Sequence, residues 1–398
     1  MRIAIIGAGI GGLTLALMLR ARGLQADVFE QAGQLAEIGA AVALSANANR
    51  EFARLGLLDG IAAHAWEPSE LVWRDGADGR RIAAHAIGLG GCYRAEFGAP
   101  YYGVHRADLQ TVLSRALPPE SLRLGHRLTG IEESAGELRL AFANGQTAAA
   151  DLVIGADGVR STVRGWITGP DGAGARYSGT SAFRGIVPTA SLRSLPDPGA
   201  IQFWAGPDAH LLHYPIGPGG EHINFFAVKE GPPAWPGGDR WTIDETPQQA
   251  LETFTGWAPA VTEMIAASDL HSRWGLFVAA PLRRWHRGSV VLIGDAAHGM
   301  LPHHGQGANT TIEDAAVLAE LIAQAPAPSE HEIMLGRYQN LRMRRTRIIQ
   351  RSAWDTNRVL HLPIDAEAPL RDRAKRFARF PEQFGWIHAF DANASKMA

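Results

Sequence analysis

The alternation of apolar and polar positions divides the chain into short elements with recognisable periods. An apolar run at 2–6 leads into a glycine-rich turn at 7–12, and the stretch 13–22, rich in strong helix formers, ends at Gly23. A second apolar run at 26–30 follows that helix. This order of strand, turn, helix and strand predicts a βαβ unit with two parallel strands.

Other segments show the period of two that is typical of half-buried strands. Strands predicted at 71–73 and 81–83 are separated by Asp-Gly turn signals, and the run 138–142 meets the hairpin dipeptide Asn144-Gly145. From about 177 to 275, short alternating runs are interrupted by turns rich in glycine and proline. This long region therefore predicts an antiparallel sheet.

Two continuous apolar runs and three helical patterns complete the prediction. The runs 152–154 and 288–294 lack alternation, which indicates further buried strands of a parallel sheet, and residues 39–44 are small and extended. The expected helices cover 47–57, 310–323, where Thr310 and Glu313 form a capping-box pattern, and the arginine-rich stretch 331–360.

The glycine-rich turn has the spacing of a dinucleotide-binding site. Gly7 permits the tight turn, Gly9 lets backbone amides approach a pyrophosphate, and Gly12 lets the helix pack on the strand; Gly11 is included in the same site. Glu30 ends the second strand, where a carboxylate accepts hydrogen bonds from ribose hydroxyls and repels a 2′-phosphate. We therefore expect FAD or NAD rather than NADP, with a purely structural glycine turn as the alternative.

Three later segments place polar residues at the ends of strands or the starts of helices. Arg106 opens a helix, where it is placed either to reach a phosphate or ribose or to pair with a neighbouring carboxylate. Asp157 with Gly158, and later Asp295, each follow a buried strand. Ligands bind at this edge of doubly wound sheets, so these residues are expected to contact the cofactor.

The loop after Asp295 is suited to a flat ring. Its small residues let a ring lie against backbone amides, and the helix that opens near residue 310 points its positive end toward that ring, which favours an anionic reduced cofactor. The residues expected to contact the ring are Gly305, Gly307, Ala308 and Asn309. The histidines of this loop match no zinc spacing, so no metal site is expected.

Composition narrows the classes of partner. A chain of 398 residues exceeds one typical core, and its net charge of −2 gives no basic field for nucleic acid. One cysteine, Cys92, excludes an internal disulfide framework and fits a reducing compartment. No apolar run reaches the roughly 18 residues of a membrane span and no signal peptide is evident, so we expect a cytoplasmic monomer or homodimer that binds a small molecule.

These segments, in this order and spacing, resemble those of a known enzyme family. The glycine turn with Glu30, the Asp157-Gly158 pair and the Gly294-Asp295 pair are similar to those of the single-component (group A) flavin-dependent aromatic monooxygenases, the salicylate and hydroxybenzoate hydroxylase group. The segment 337–352 also resembles the helix that follows the flavin domain in that family. The resemblance covers nearly the whole chain.

The resemblance implies a cofactor set and a reaction. FAD is bound tightly, with its ADP half at the glycine turn, its ribitol chain at Asp295, and further contacts from Arg106 and the Asp157-Gly158 segment. NADH or NADPH is a transient co-substrate, since no second glycine-rich βαβ unit is present, and O2 is the oxidant. The implied reaction hydroxylates a small aromatic compound, a phenolic acid or a hydroxylated N-heterocycle, through a flavin C4a-hydroperoxide.

The resemblance places the substrate between the antiparallel sheet and the flavin ring. His210 and Tyr214 are the candidates in that sheet for catalytic contact, because a phenol must be deprotonated or strongly hydrogen-bonded and histidine titrates near neutrality. Strand alternation sends only one of His210 and His213 inward. The residues expected to bind the substrate are Arg184, Phe203, His213, Phe225 and Pro302.

The chain departs from the family pattern at two places. Family members commonly have Pro-Asn-Ala where this chain has Ala46-Asn47-Ala48, and some place a catalytic histidine where this chain has Ala43. We therefore expect His303 or His304, on the flavin-facing loop, to supply the base. A flavin oxidase or dehydrogenase of similar fold, or a flavoprotein that oxidises or sequesters a planar drug, remains the alternative.

The expected architecture is an α/β fold in three parts. A Rossmann-like FAD-binding domain at 1–72, 98–176 and 276–330 is interleaved with a smaller, antiparallel-sheet substrate-binding domain at 73–97 and 177–275. A C-terminal helical segment at 331–398 follows them.

Overall fold

The computed structural model describes residues 1–35, 41–88, 92–134, 136–169, 174–325, 327–362 and 367–393. Its helices are α1 Ile10–Arg20, α2 Ala46–Arg54, α3 Leu58–Ala62, α4 Cys92–Phe97, α5 Arg106–Arg115, α6 Thr162–Thr168, α7 Pro247–Thr253, α8 Pro259–Ala266, α9 Asp295–His298, α10 Gln306–Gln324, α11 His331–Leu360, α12 Glu367–Ala378 and α13 Phe380–His388.

The strands alternate with these helices along the chain. They are β1 Ile3–Ile6, β2 Ala26–Phe29, β3 Ala41–Leu44, β4 Ala65–Trp66, β5 Glu70–Asp75, β6 Arg81–Ala86, β7 Tyr102–His105, β8 Leu122–Arg123, β9 Leu128–Ser134, β10 Glu137–Phe142, β11 Thr147–Ala150, β12 Leu152–Gly155, β13 Ala175–Pro188, β14 Ile201–Gly206, β15 Ala209–Ile216, β16 His222–Glu230, β17 Thr242–Asp244, β18 Ser272–Ala279, β19 His286–Arg287 and β20 Val290–Leu292. The extended segment expected from residue 39 has its first two residues outside the described residues.

A parallel sheet forms the centre of the first domain. Its order is β19-β20-β12-β1-β2-β8, with only the β19–β20 contact antiparallel among the described strands. The apolar runs that predicted core strands form β1, β12 and β20, and these three strands are buried along their whole length. Because they are parallel, the residues that follow them all emerge at one edge of the sheet.

The second large sheet has the order β17-β18-β13-β16-β15-β14-β5-β6. It is mixed rather than purely antiparallel, because β14 runs parallel to β5. The expected domain boundaries after residues 72 and 275 fall inside β5 and β18, and both strands belong wholly to this sheet. The character of the sequence changes within each of these strands, so a boundary placed at that change divides a strand that the structure keeps whole.

The helix expected to start at Thr310 starts one turn earlier, at Gln306. Gly305 precedes it in the left-handed region, with φ of +62°, so the capping-box prediction is wrong. The Thr310 hydroxyl donates back to the Gln306 carbonyl oxygen at 2.7 Å, inside the helix. Glu313 is fully buried and pairs with Arg342 and Arg345 instead of capping the helix.

A buried charge cluster joins α10 to α11. Arg342 Nε donates to Asp314 Oδ1 at 2.7 Å, and Arg342 Nη2 donates to Glu313 Oε2 at 2.6 Å. His298 Nε2 pairs with Asp314 Oδ2 at 2.5 Å, and Arg345 Nε reaches Glu313 at 2.8 Å. The cluster fixes the register of α10, whose first turn belongs to the site described below.

Helices α12 and α13, together called the C-terminal cover, lie over one face of the large sheet. His85 Nε2 on β6 pairs with the Phe377 carbonyl oxygen at 2.7 Å. Arg50 Nη2 donates to the His388 carbonyl oxygen at 2.8 Å, and Arg345 Nη2 donates to that of Ile387 at 2.9 Å. Backbone carbonyls of the cover are thus tied to three different parts of the fold.

Candidate active site

The glycine turn between β1 and α1 is too tight for side chains at two positions. Gly7 has φ of +108°, and a Cβ there would lie 2.4 Å from the Ala156 carbonyl oxygen. A Cβ on Gly12 would lie 2.0 Å from the Gly7 carbonyl oxygen, whereas Gly9 faces open space. Gly9 is also the residue before α1, and no side chain caps that helix. Its amides are therefore available to an anion.

Gly11 has a different role from the one expected. A Cβ at Gly11 would lie 2.2 Å from Thr311 Cγ2, so this glycine permits α1 to pack closely against α10. It brings α1 and α10 close together. The cofactor contact expected through Gly11 stays a prediction.

Glu30 and Arg106 both lie beside the glycine turn. The Ala8 amide donates to Glu30 Oε2 at 2.8 Å and the Ala32 amide donates to Glu30 Oε1 at 2.9 Å, which hold the carboxylate in place at the end of β2. Gln110, one helical turn after Arg106 on α5, donates to the Ala8 carbonyl oxygen at 3.0 Å. Arg106 thus belongs to the helix that contacts the turn, and its charge also acts on Tyr214.

Asp157 is placed at the expected sheet edge but its carboxylate serves the protein. It accepts hydrogen bonds from the Ser161 hydroxyl at 2.5 Å and from the Thr162 and Val163 amides at 2.8 and 3.1 Å, which caps α6. Burial raises its pKa even against these hydrogen bonds. The cofactor contact expected from Asp157 stays a prediction, and Gly158, with φ of +76°, faces open space beside it.

Asp295 is the exposed acid at this edge. It is the first residue of α9, directly after β20, and it is exposed between buried neighbours. The described residues donate no hydrogen bond to its carboxylate in this structure, and a Cβ on Gly307 would lie 3.9 Å from Asp295 Oδ1. The carboxylate thus faces a groove toward the first turn of α10, as a contact to a polyol requires.

The first turn of α10 offers a second free helix N-terminus. Gly305 precedes α10 without a side-chain cap, and Gly307 and Ala308 are partly exposed in that turn. Asn309 is fully buried: its Oδ1 accepts from the Ser45 amide at 2.9 Å, and its Nδ2 donates to the Ala43 carbonyl oxygen at 2.8 Å. Its side chain therefore fixes β3 to α10, and the cofactor contact expected from Asn309 stays a prediction.

These positions fit FAD. One uncapped helix N-terminus lies at the tight glycine turn, an exposed carboxylate follows β20, and a second uncapped N-terminus begins the long helix α10. Phosphates, a polyol chain and an electron-rich ring are the groups that these three features stabilise, in that order along an elongated ligand. The residues that would hold FAD are Gly7, Gly9, Gly12, Glu30, Arg106, Gly158, Asp295, Gly305, Gly307 and Ala308.

A cavity adjoins the first turn of α10. Its floor is formed by one face of the large sheet, its roof by the C-terminal cover, and one end by residues 303–306. Apart from His303, His304, Tyr101, Tyr214 and a few polar residues, the lining is apolar or aromatic. The lining side chains from the sheet are Leu71, Trp73, Ile201, Phe203, Leu212 and Tyr214.

The sheet turns two expected substrate residues away from this cavity. On β15, His210, Leu212 and Tyr214 share one face, so His213 lies on the other, in register with Phe225. Phe225 packs into a separate core formed with α7 and α8. Burial there lowers the pKa of His213 to about 3, and the expectation that His213 and Phe225 bind substrate is corrected.

Phe203, Arg184 and Pro302 lie near the cavity in different ways. Phe203 lines it and stacks on Trp73 with ring centroids 5.9 Å apart. Arg184 lies beside it on β13, with its guanidinium 4.7 Å from the Trp274 ring. Pro302 starts the loop but is not among the lining residues. Only Phe203 of these three therefore forms the wall.

The expected catalytic side chains are brought together at the loop end of the cavity. His303 and His304 line it, and the His303 and His210 rings are in contact with centroids 4.8 Å apart. Burial, together with neighbouring histidines, lowers the pKa of His303 and of His210 well below 6.5. Burial raises the pKa of Tyr214. At neutral pH the histidines are therefore uncharged acceptors, and Tyr214 is a hydroxyl donor.

His304 is engaged by the C-terminal helices. Its Nε2 pairs with the Ser352 hydroxyl at 3.0 Å and its ring contacts Phe384 at 4.7 Å. Burial lowers its pKa to about 4. His304 is therefore a neutral side chain with one nitrogen already bonded, whereas neither nitrogen of His303 has a hydrogen-bond partner among the described residues.

The sequence patterns missed the roof of the cavity and the residues behind it. Phe377, Phe384, Ile387 and His388 of the C-terminal cover line the cavity, and His388 Nδ1 pairs with the Tyr93 hydroxyl at 2.6 Å. The apolar spacing of this segment signals a buried face but not its partner. A stronger signal that was overlooked is the pair of adjacent acids Glu313 and Asp314 within an apolar helix. An arginine-rich helix follows them, and together these features indicate a buried ion-pair cluster.

The comparisons with known proteins agree with this geometry. The chain belongs to the family described as FAD binding domain, whose model matches residues 1–353. It is 37% identical to a 3-amino-4-hydroxybenzoate 2-monooxygenase of Streptomyces cremeus, over 97% of this chain and 94% of that protein. A 6-hydroxynicotinate 3-monooxygenase of Pseudomonas fluorescens is 34% identical over 89% of this chain and 90% of its own.

A solved structure gives the same result for the fold. A salicylate hydroxylase in complex with its substrate aligns with a TM-score of 0.85 at 30% identity, covering 99% of this chain and 96% of that one. The protein is therefore an FAD-dependent aromatic monooxygenase of group A, which uses NAD(P)H and O2 to hydroxylate a small aromatic compound. The predicted family, fold class and cofactors are confirmed.

Every described helix is too short or too polar to cross a lipid bilayer. Within the same ranges, no group of three or more His, Cys, Asp or Glu side chains is arranged to hold a metal ion.

Proposed function

We propose that the substrate is a hydroxylated aromatic acid or a hydroxylated N-heterocycle whose ring lies in the cavity between the large sheet and the C-terminal cover. One observation carries this proposal: Gly305 and Gln306 both line the cavity and begin α10, so the cavity meets the site that fits the flavin ring. Aromatic walls from Trp73, Phe203 and Phe377 suit a flat ring.

The polar groups of the cavity suit a phenol that carries an acidic substituent. Tyr214 is a hydroxyl donor, His303 is an uncharged acceptor, and Arg376 supplies a cation to the lining from α12. We assign hydrogen bonding of the substrate to Tyr214, removal of its hydroxyl proton to His303, and attraction of a carboxylate to Arg376. His304, bonded to Ser352 of α11 and in ring contact with Phe384 of α13, is assigned to holding the cover in place.

The chain's own residues prepare the substrate for attack. Bound FAD supplies reduction by NAD(P)H and activation of O2. Removing the hydroxyl proton makes the aromatic ring nucleophilic, and the apolar walls exclude the water that would divert the oxidant. We further propose that residues of the parallel sheet and of α10 form the FAD-binding domain and that the large sheet with α7 and α8 forms the substrate-binding domain.

A panel of the compounds after which the similar enzymes are named tests the proposal. Purified protein is assayed with 3-amino-4-hydroxybenzoate, 6-hydroxynicotinate and salicylate for NADH and NADPH oxidation, for peroxide release, and for product oxygen from 18O-labelled O2. Accelerated NAD(P)H oxidation with one labelled oxygen atom in the product supports it. Peroxide release equal to NAD(P)H consumed with every compound, without labelled product, contradicts it.

A further inference from the structure

Four side chains form a series of successive contacts from the cavity to the protein surface. His303 lines the cavity and contacts the His210 ring, and His210 Nδ1 lies 2.6 Å from His361 Nε2. His361 Nδ1 lies 2.5 Å from Glu230 Oε1. These residues, which we call the histidine chain, come from the loop before α10, from β15, from the residue after α11 and from the end of β16.

Burial falls along the histidine chain from the cavity outward. His303 and His210 are 2% and 1% exposed, and His361 is 6% exposed. The Glu230 side chain is 43% exposed and ends the series in solvent. A path that carries protons to solvent must end at a solvent-exposed group, whereas a contact that only stabilises the fold need not.

The hydrogen bonds admit one consistent proton arrangement. Each of the two short contacts contains a single proton, so a carboxylate at Glu230 requires Nδ1–H on His361, which leaves His361 Nε2 to accept from Nδ1–H on His210. His210 Nε2 is then the acceptor at the inner end. The His361 hydrogen bond lowers the pKa of Glu230, so that carboxylate is ionised at neutral pH.

The ionisable neighbours favour passage of a proton over its storage. His210 faces His303 and His361, His303 faces His361 and His304, and Glu230 faces His361. A positive charge held on any inner ring would lie in a dry site beside other imidazoles, so it is unfavourable there. A proton that enters is therefore driven toward the only carboxylate in the series.

We propose that the histidine chain conducts the hydroxyl proton of the bound substrate to solvent. This inference rests on the proposed function, since it needs a phenolic substrate in the cavity. The substrate O–H bond breaks as a nitrogen of His303 takes the proton, and rotation of the His303 ring delivers it to His210 Nε2. His210 Nδ1–H then breaks to protonate His361 Nε2, and His361 Nδ1–H breaks to protonate Glu230. Glu230 releases the proton to water and the substrate is left as its phenolate. Reorientation of the His210 and His361 rings then restores the starting tautomers for the next turnover.

A structural role for the outer residues makes a different prediction. Asn357 Nδ2 also donates to Glu230 Oε1 at 3.3 Å, and the Asp208 amide donates to the His361 carbonyl oxygen at 3.2 Å, so this contact also secures the end of α11. If this contact only secures the helix, substitution of Glu230 or His361 lowers thermal stability or substrate affinity and leaves the rate of proton transfer unchanged.

The test measures proton movement separately from hydroxylation. FAD-loaded protein is mixed by stopped flow with 4-nitrophenol in weakly buffered solution below the pH at which this phenol ionises. Ionisation of the bound phenol is read from its absorbance, and proton release is read from an indicator dye. The variants are Glu230→Gln, which keeps an acceptor for His361, and His361→Gln; the control is His222→Gln, an exposed histidine on the same strand as Glu230.

We expect both variants to slow proton release by about 10- to 100-fold, with nitrophenol affinity, FAD affinity and melting temperature unchanged. The control keeps the wild-type rate, and in each slowed variant the solvent deuterium isotope effect on release rises. Wild-type protein that does not bind and ionise the nitrophenol, or variants that release the proton at the wild-type rate, overturn the proposal. The proposed function fails separately, when release is normal but no panel compound is hydroxylated.

Discussion

Replacement of Arg342 by alanine is expected to remove a large part of the free energy of unfolding. Arg342 is fully buried and is bonded to Asp314, to Glu313 and to the Thr310 carbonyl oxygen. The truncation leaves two fully buried carboxylates short of a cation. Loss of one partner from a buried ion pair costs about 3 to 5 kcal/mol, a substantial share of the roughly 5 to 15 kcal/mol that a typical domain has.

Urea unfolding followed by circular dichroism, with FAD at a fixed saturating concentration, measures this loss. Arg358→Ala is the matched control, because Arg358 lies on the same helix and its pair with Asp355 is exposed. We expect little change in the control. A loss below about 1 kcal/mol for Arg342→Ala, the range of surface ion pairs, refutes the reasoning that the cluster depends on this guanidinium.

The same cluster gives the stability a defined pH dependence. Burial alone raises the pKa of Glu313, but the charges of Arg342 and Arg345 outweigh it and hold that pKa below its ordinary value. Asp314 is held low in the same way by His298 and Arg342. Their contribution is complete above the unfolded pKa of about 4 and is lost as pH falls through the folded values. Wild-type protein should therefore lose stability below about pH 4 more steeply than Arg342→Ala, and parallel unfolding curves contradict this.

Three further outcomes concern the site. Asp295→Ala should weaken FAD binding by at least about tenfold, since the exposed carboxylate lies in the cofactor groove, and a titration of apoprotein with normal affinity removes Asp295 from that role. Tyr214→Phe should keep FAD but lower substrate-stimulated NAD(P)H oxidation by about tenfold, and unchanged stimulation shows that its hydroxyl does not bind substrate. Phe377→Ala should raise the KM for substrate by about tenfold without changing FAD affinity, because the Phe377 ring stacks on Trp73 in the cavity wall with centroids 5.0 Å apart. Phe377→Leu refills the wall and should bring the KM most of the way back to the wild-type value.

Local patterns predicted the core strands of the parallel sheet and the helices α1, α2, α10 and α11. A few neighbouring residues are enough to recognise the glycine turn, the apolar runs 152–154 and 288–294, and the acids that follow β2 and β20. Gly11, Asp157 and Asn309 show the limit of that reasoning. Each lies within a cofactor motif, yet its contact is with the protein itself: Thr311, the α6 N-terminus and β3, respectively.

The substrate side was harder to predict because it depends on which face of a sheet meets which helix. Alternation showed that His210 and His213 diverge, but only the packing of α7 and α8 determines which face is inner. The roof of the cavity comes from residues more than 150 positions after the strands it covers, and His361 and Glu230 meet only through the path of α11. No local pattern contains such a contact.

The C-terminal cover has a consequence for the order in which a growing chain becomes competent. The two helix N-termini and the strand-end acids that fit FAD all lie before residue 325, and Arg342 and Arg345 of α11 complete the cluster that fixes α10. The segment that roofs the aromatic chamber is made only after α11, so nascent protein is expected to pass through a stage that takes up flavin while its substrate pocket is still open to water.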